Sequence, residues 1–262
     1  MMPDATVKVE NARFIVTMDP SRRIISDGSL VVQGQNIIQV GKTEDLAGVQ
    51  TDRVIDASDM VVTPGFVNGH MHISYAHATR GIFPDDLGSA YLPNVFKLQA
   101  IMTEEEEYHT SLLAITELLK YGTTTFVDPG STKYLDRCMD AYIQAGCRII
   151  VGAHVTDKPN QLNLPVSSTA DALQTIETTI ERFDRKLDGR IRAWAMPFAP
   201  NVCTDELLLG SKRLADRYNT GLTLHYNNGP NYVEASIKES GLRPTHYLEK
   251  LGILGKNVTL SH

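Results

Sequence analysis

From Met60 onward, short apolar segments alternate with segments of helical periodicity, and this alternation restricts the fold more than any other feature. The predicted strands are MVVTPGFVNGH, TTTFV, CRIIVGAH, IRAWAMPF, LTLHY and VTLSH. The predicted helices are MTEEEEYHTSLLAITELLKYG, KYLDRCMDAYIQAG, STADALQTIETTIERF, TDELLLGSKRLADRYNTG and PTHYLEKLG. In the first helix, Thr103 and Glu106 form a capping box and Gly122 marks the end. Repeated βα units of this kind predict a parallel sheet covered by helices, an α/β fold.

The number and spacing of these units favour a barrel over an open sheet. An eight-unit (β/α) barrel takes about 250 residues. About 200 residues separate Val61 from His262, and they carry six predicted strands, so the spacing fits a barrel that stops after six of its eight units. A doubly wound open sheet is the alternative, but no glycine-rich dinucleotide loop follows the first strand.

The first 60 residues have a different pattern and are predicted to form a separate β-rich segment. No helical periodicity occurs before Lys42, and SLVVQGQNIIQVG has the pattern of a strand, a glycine-containing turn and a second strand. We therefore divide the chain into residues 1–60, a β segment, and residues 61–262, the incomplete (β/α) barrel.

Composition and charge exclude several classes of partner. The formal net charge is −6, and neither a basic patch nor a run of Lys and Arg is present, so we expect no nucleic-acid partner and no anionic membrane surface. No apolar stretch approaches the roughly 18 residues that span a bilayer. The start, MMPDATVKVE, lacks the basic and apolar regions of a signal peptide. The three cysteines show no metal-like spacing, and we interpret them as reduced thiols of a cytoplasmic protein.

Four of the eight histidines follow predicted strands, and they predict a metal site. His70 and His72 alternate on one strand, so their side chains point the same way. At the carboxyl end of a barrel strand that direction is into the catalytic mouth, where two imidazoles make half of a zinc or iron site. His225 in LTLHY and His262 in VTLSH occupy corresponding strand ends. A single histidine there is usually a packed rim residue, but four at three strand ends predict metal ligands.

Three further residues are candidates for substrate contact. Asp128 follows the second strand, His154 ends the third, and His77 lies after the first. Each also has a structural alternative: a turn before Pro129 for Asp128, a rim position for His154, and a loop for His77.

Other charged and titratable residues are expected to be structural. His109 and His246 are predicted to be solvated on helices, and the run Glu104–Glu107 is predicted to be a solvated first turn that favours the helix dipole.

Several motifs together resemble the amidohydrolase superfamily, in particular the branch of S-adenosylhomocysteine/methylthioadenosine deaminases, guanine and cytosine deaminases and triazine hydrolases. These motifs are VVTPGFVNGHMH, RGIFPDDL, MTEEEEYHTSLLAITELLKYGTTTFVD, LTLHY and VTLSH. The resemblance covers most of the chain. It implies a (β/α)8 barrel with one divalent metal, usually zinc or iron, and a small composite β-sandwich of which residues 1–60 would be the N-terminal part.

The resemblance also implies a hydrolytic mechanism on a small heterocyclic substrate. His70, His72 and His225 would hold the metal, which activates water for attack on an amidine or amide carbon, with ammonia or another amine as the leaving group. His262 would orient or polarise the water or the substrate.

Three departures from the family pattern bear on catalysis. The acid/base glutamate that the family carries three residues after the strand-five histidine is replaced by Asn228, and Phe198 stands where deaminases often carry a histidine. An amide does not shuttle a proton. The metal-binding aspartate of strand eight would lie beyond His262.

Two functions follow as alternatives. The first is a metal-dependent hydrolase of non-peptide C–N bonds, most active on substrates other than adenosine types. The second is an inactive truncated relative that is kept as a scaffold or oligomerisation module. Because a six-stranded barrel leaves two open edges, we expect this chain by itself to form homo-oligomers or to be poorly soluble.

Overall fold

The computed structural model describes residues 5–130 and 133–262 and divides into two compact units, Met1–Gly65 and Phe66–His262. The first unit is a five-stranded sheet in the order β3-β2-β1-β4, with β5 also paired to β1. Its strands are β1 (Thr6–Val16), β2 (Ile24–Gln33), β3 (Asn36–Lys42), β4 (Arg53–Asp56) and β5 (Val61–Val62). The predicted hairpin is confirmed: β2 and β3 are antiparallel and meet at Gly34, whose φ of 55° suits a tight turn.

The second unit contains the βα repeats. Its strands are β6 (Phe66–Asn68), β7 (Thr123–Val127), β8 (Arg148–Val151), β9 (His154–Val155), β10 (Ile191–Ala193), β11 (Met196–Pro197), β12 (Leu222–His225) and β13 (Val258–Ser261). Every pairing between these strands is parallel. The third predicted strand is interrupted between β8 and β9, and the fourth between β10 and β11.

Consecutive predicted strands are neighbours throughout this unit. One ladder has the order β6-β7-β8-β10, β9 pairs with β11, a bridge joins Ala195 to Leu222, and β12 pairs with β13. The parallel strands and the intervening helices confirm the α/β class. Across the described ranges the pairings do not close into a ring, so a closed barrel is not seen. Parallel order places the carboxyl ends of these strands at one edge.

Helices cover the parallel strands. They are α1 (Ile73–Thr79), α2 (Tyr91–Ile101), α3 (Glu104–Lys120), α4 (Leu135–Ala145), α5 (Thr169–Phe183), the short α6 (Lys186–Gly189), α7 (Asp205–Arg217), α8 (Pro230–Ser240) and α9 (Pro244–Lys250). The five predicted helices are confirmed as α3, α4, α5, α7 and α9. Of the other four, α1, α2 and α8 lie in segments for which the sequence pattern predicts no element. No described helix combines the length and apolarity that crossing a bilayer requires.

The sequence also specifies where these helices begin and end. The Thr103 hydroxyl accepts from the Glu106 N–H, and the Glu106 carboxylate accepts from the Thr103 N–H at 2.7 Å, which completes the predicted capping box. Gly122 and Gly146 follow α3 and α4 with φ of 83° and 70°, a conformation that glycine adopts without steric cost.

Two predictions about local structure were wrong. The segment MVVTPGFVNGH is not one buried strand. It breaks between Val62 and Phe66, because Pro64 has no N–H for a ladder, and Phe66 and Val67 are 63% and 69% exposed.

The acidic run Glu104–Glu107 is not solvated throughout. Glu107 is fully buried, and its carboxylate accepts from the Lys133 and Tyr134 N–H groups that precede α4. One acidic side chain therefore secures the start of the next helix.

Substitution of Thr103 by Ala should lower the free energy of unfolding by about 1 kcal/mol, because the first turn of α3 loses its cap. Thr116→Ala is the control, because Thr116 is exposed on the same helix, and its effect should stay within about 0.5 kcal/mol. Urea unfolding of both variants measures the difference. Equal destabilisation of the two would contradict the capping assignment.

Candidate metal centre

Three of the predicted metal ligands converge in the structure. His70, His72 and His225 each present a ring nitrogen, and the three nitrogens lie within 4.8 Å of one another. Nε2 of His72 is 3.1 Å from Nε2 of His225, and the His70 ring is 4.9 Å from each of the other two rings. A cluster of three imidazoles is the donor set that zinc or iron takes in proteins.

The backbone around His70 and His72 is held by strand ends, although neither residue lies on a strand. Strand β6 ends at Asn68, and the Asn68 side-chain oxygen accepts from the His70 N–H at 3.0 Å. The Met71 N–H donates to the carbonyl of Val127, the last residue of β7, at 2.9 Å. His72 directly precedes α1. The predicted convergence is therefore present, but these backbone contacts produce it rather than strand alternation.

His225 ends β12 and is oriented by a carbonyl of the neighbouring strand segment. Its backbone N–H donates to the Phe198 carbonyl at 2.8 Å, and its ring Nδ1 lies 3.2 Å from the same oxygen. Since a carbonyl only accepts, Nδ1 carries the proton. The lone pair of Nε2 is then directed toward the cluster, the arrangement that a metal-ligating histidine requires.

Burial keeps these imidazoles uncharged. Desolvation, reinforced by the neighbouring imidazoles, lowers the pKa of His70 to about 4 and the pKa of His225 to about 3. The same two causes lower the pKa of His72 well below its usual range. At neutral pH all three rings therefore keep a lone pair. Within the described part of the chain, both ring nitrogens of His70 are buried and lack a hydrogen-bond partner. Such atoms are costly unless they bind something, and a divalent cation fits them.

A cavity of about 320 Å³ adjoins the cluster. It is lined by His72, His225, His262, Asn228 and Phe198 together with Tyr75, Ala76 and Thr79 of α1 and Tyr91, Leu92, Val95 and Phe96 of α2. The His262 ring lies 4.9 Å from the His70 ring and 5.6 Å from the His225 ring. The structure thus brings His262, Asn228 and Phe198 beside the three converging histidines, whereas the α1 and α2 side chains were missed because those helices were not predicted.

His154 lies at the same mouth. Its ring stacks on Phe198 at 4.2 Å and is 5.1 Å from the His225 ring. Its Nδ1 is buried and has no hydrogen-bond partner among the described residues. A second cavity, of about 340 Å³, is lined by His154 and shares Phe96 and Phe198 with the first.

The two remaining candidates lie apart from these cavities. Asp128 is 2% exposed, and its carboxylate accepts from the Tyr142 hydroxyl at 2.8 Å and from the Gly130 N–H at 3.3 Å. His77 is on α1 rather than in a loop, and its Nε2 is 3.0 Å from the Glu117 carboxylate on α3. Of the histidines expected to be solvated, His109 is 65% exposed and pairs with Glu105, and His246 is exposed on α9.

The burial of Asp128 predicts a specific pH dependence. Desolvation raises its pKa from 3.8 to about 7, so between these pH values the folded state holds a proton that the unfolded state has lost. The free energy of unfolding therefore falls as pH rises through this window. Asp128→Asn does not titrate, so its stability relative to the wild type should be greater at pH 8 than at pH 5. Urea unfolding of the wild type and of Asp128→Asn at both pH values tests this. The histidines contribute equally to both proteins, so their contribution cancels in the difference between the two free energies of unfolding. A constant difference between the two proteins would contradict it.

Comparison with known proteins agrees with this geometry. The 5'-deoxyadenosine deaminase of Methanobrevibacter smithii is 30% identical over 262 residues, which are 100% of this chain and 57% of that protein. The 5-methylthioadenosine/S-adenosylhomocysteine deaminase of Syntrophobacter fumaroxidans is 31% identical over 251 residues, 95% of this chain and 56% of that protein. The chain thus spans little more than half the length of these relatives.

Solved structures share the fold. Atrazine chlorohydrolase from Arthrobacter aurescens, complexed with zinc, has a TM-score of 0.85 at 22% identity, over 98% of this chain and 60% of that one. An adenosine deaminase from Xanthomonas campestris, with bound zinc, has a TM-score of 0.82 at 25% identity, over 97% of this chain and 56% of that one. The model of the amidohydrolase family matches residues 61–262, and the chain therefore belongs to the amidohydrolase family.

Proposed function

We propose that the protein is a metal-dependent hydrolase of non-peptide C–N bonds that deaminates an N-heterocycle or hydrolyses its amide or amidine group. The observation that carries this proposal is the convergence of three uncharged imidazoles, with ring nitrogens within 4.8 Å, beside a cavity of about 320 Å³. Cavities of this size accommodate small-molecule ligands. The family and the two deaminase relatives support the same chemistry.

His70, His72 and His225 are the residues that would hold the metal, with zinc as the first ion to test and iron as the second. When bound, such an ion supplies a Lewis acid that makes water a nucleophile near neutral pH. The Nδ1–H of His225 fixes its ring against the Phe198 carbonyl, so its Nε2 would remain available to the ion. His262 would orient or polarise the water or the substrate.

The cavity wall suits a flat, weakly polar ring. Phe198 stacks on His225 at 4.7 Å, and Phe96 lies 6.2 Å from Phe198 in an edge-to-face arrangement. Asn228 offers an amide donor and an acceptor to the substrate but does not transfer a proton at neutral pH. His154 and Phe198 form the wall toward the second cavity. The compounds named for the relatives, 5'-deoxyadenosine, 5-methylthioadenosine and S-adenosylhomocysteine, are therefore suitable first probes.

We further propose the architecture that goes with this activity. The six parallel strand positions would correspond to six units of a (β/α)8 barrel, and the sheet of β1 to β5 would be part of a composite β-sandwich. Among the described strands, β6 and β13 are each paired on one side, and such edges would favour homo-oligomers. A cytoplasmic location agrees with buried, unpaired cysteines at Cys138, Cys147 and Cys203.

The metal proposal is tested by replacing His70 and His72 together with Ala. Wild-type protein should bind about one zinc ion per chain, and the double variant should bind none, because a single imidazole remains of the three. A double variant with His109 and His246 replaced by Ala is the matched control and should bind zinc as the wild type does. Metal content is measured after dialysis. Stoichiometric zinc in the His70/His72 variant would place the site elsewhere, and no zinc in the wild type would favour a scaffold without activity.

The role of Asn228 is tested by Asn228→Glu, which provides a carboxylate at the cavity. Acid–base groups in position contribute about 10²–10⁴-fold, so ammonia release from 5'-deoxyadenosine or S-adenosylhomocysteine should rise by about 10²-fold from a low wild-type rate. Asn231→Glu is the control, because it adds the same charge on the exposed first turn of α8. Rapid release by the wild type, or equal rates in both variants, would contradict the prediction.

A further inference from the structure

The segment formed by the last residue of β7 and the three residues after it, 127–130, lies between two groups of site residues and hydrogen-bonds to both. The Val127 carbonyl accepts from the Met71 N–H, and the Gly130 carbonyl accepts from the His154 N–H, each at 2.9 Å. The first bond holds the residue between His70 and His72. The second holds the backbone of His154, whose imidazole stacks on Phe198. One short segment therefore sets the backbone on both sides of the mouth.

The side chain of Asp128 fixes the conformation of this segment. Its carboxylate receives the Gly130 N–H two residues later and the hydroxyl of Tyr142, which lies on α4 and is 1% exposed. The Asp128 N–H donates to the Ile150 carbonyl of β8 at 2.9 Å. Asp128 thus forms hydrogen bonds with β8, with α4 and within its own turn. Asp128 lines neither of the two cavities at the mouth.

The segment also fits tightly against the next strand. Gly130 has a φ of 87°, and a Cβ built on it would meet the Gly152 carbonyl oxygen at 2.6 Å. A side chain is therefore excluded there by contact as well as by conformation. With Gly152 on one side and Tyr142 on the other, a shift of residues 127–130 would displace the Met71 and His154 hydrogen bonds together.

We infer that Asp128 and Tyr142 are positioning residues for the candidate metal centre: their buried contact holds the end of β7, which orients His70 and His72 through Met71 and orients the backbone of His154. For its effect on metal binding this inference rests on the proposed function. For its effect on the backbone it does not. Asp128 thus acts through the segment that carries it.

Three variants separate positioning from bulk stability. Asp128→Ala removes both contacts, Tyr142→Phe removes one, and Asp128→Asn retains an acceptor for Gly130 and a group that bonds the Tyr142 hydroxyl. Asp184→Ala is the matched control. Asp184 has a side chain that is 9% exposed and accepts from the Ala193 N–H at 3.0 Å, so its loss removes a comparable carboxylate at a strand that carries no candidate ligand.

Two measurements are made on each protein: zinc affinity by competition with a chelator, and exchange rates of the Met71 and His154 amide hydrogens without metal. Loss of outer contacts to metal ligands typically weakens metal affinity ~10–100-fold. We expect a loss of zinc affinity in that range for Asp128→Ala and a smaller loss for Tyr142→Phe. Asp128→Asn should keep near wild-type zinc affinity. The two amides should exchange about tenfold faster in Asp128→Ala, since their acceptors are released. Asp184→Ala should lose stability while keeping zinc affinity and both exchange rates.

The outcomes distinguish this inference from the proposed function. Zinc binding by the wild type with unchanged affinity and exchange in Asp128→Ala and Tyr142→Phe would overturn the inference and leave the proposed function standing. No zinc binding by the wild type, with faster exchange of both amides in the variants, would overturn the metal proposal and support the positioning role. If Asp128→Ala does not fold, Tyr142→Phe decides: unchanged affinity and exchange in that variant overturn the inference.

Discussion

Parallel pairing between consecutive strands is the constraint on which every other feature of the second unit depends. Each strand from β6 to β13 runs in the same direction as its neighbour, so their carboxyl ends collect at one edge. Residues that follow those ends are brought together regardless of their distance along the chain. His70, His154 and His225 meet for this reason. Their common burial then keeps the imidazoles neutral, because a charged ring would lose its hydration without gaining a counter-charge.

Much of this arrangement could be predicted from local sequence. The βα alternation, the capping box at Thr103 and the glycine at 122 depend on short-range periodicity and on hydrogen bonds within one turn. The convergence of His70, His72 and His225 was predicted from their positions at or just after strand ends, although backbone contacts of His70 and Met71, rather than strand alternation, bring His70 and His72 together. These candidate ligands were accessible to prediction because parallel strands bring residues at and beyond their carboxyl ends to one edge of the sheet.

The features that could not be predicted depend on contacts between distant segments. Helix α1 has only seven residues and α2 is weakly amphipathic, so both depend on packing against the rest of the unit. Glu107 is indistinguishable in sequence from its acidic neighbours, yet it is fully buried because α4 begins beside it. Asp128 follows a strand in the sequence as a pocket residue would, and only the position of Tyr142 on α4 shows that its carboxylate forms a buried hydrogen bond. In each case the partner lies outside the local window that sequence patterns describe.

The contact between His72 and His225 joins residues 153 positions apart in the chain, and this separation has a consequence for synthesis. At translation rates of about 5–20 residues per second, roughly 8–30 s pass between the appearance of the first two imidazoles and that of the third. During that interval His70 and His72 would be present without the third imidazole of the proposed metal site. Any discrimination between metals by three imidazoles could therefore begin only after β12 has been made, so the order of synthesis would leave the nascent chain with two of the three proposed ligands before its own selectivity exists.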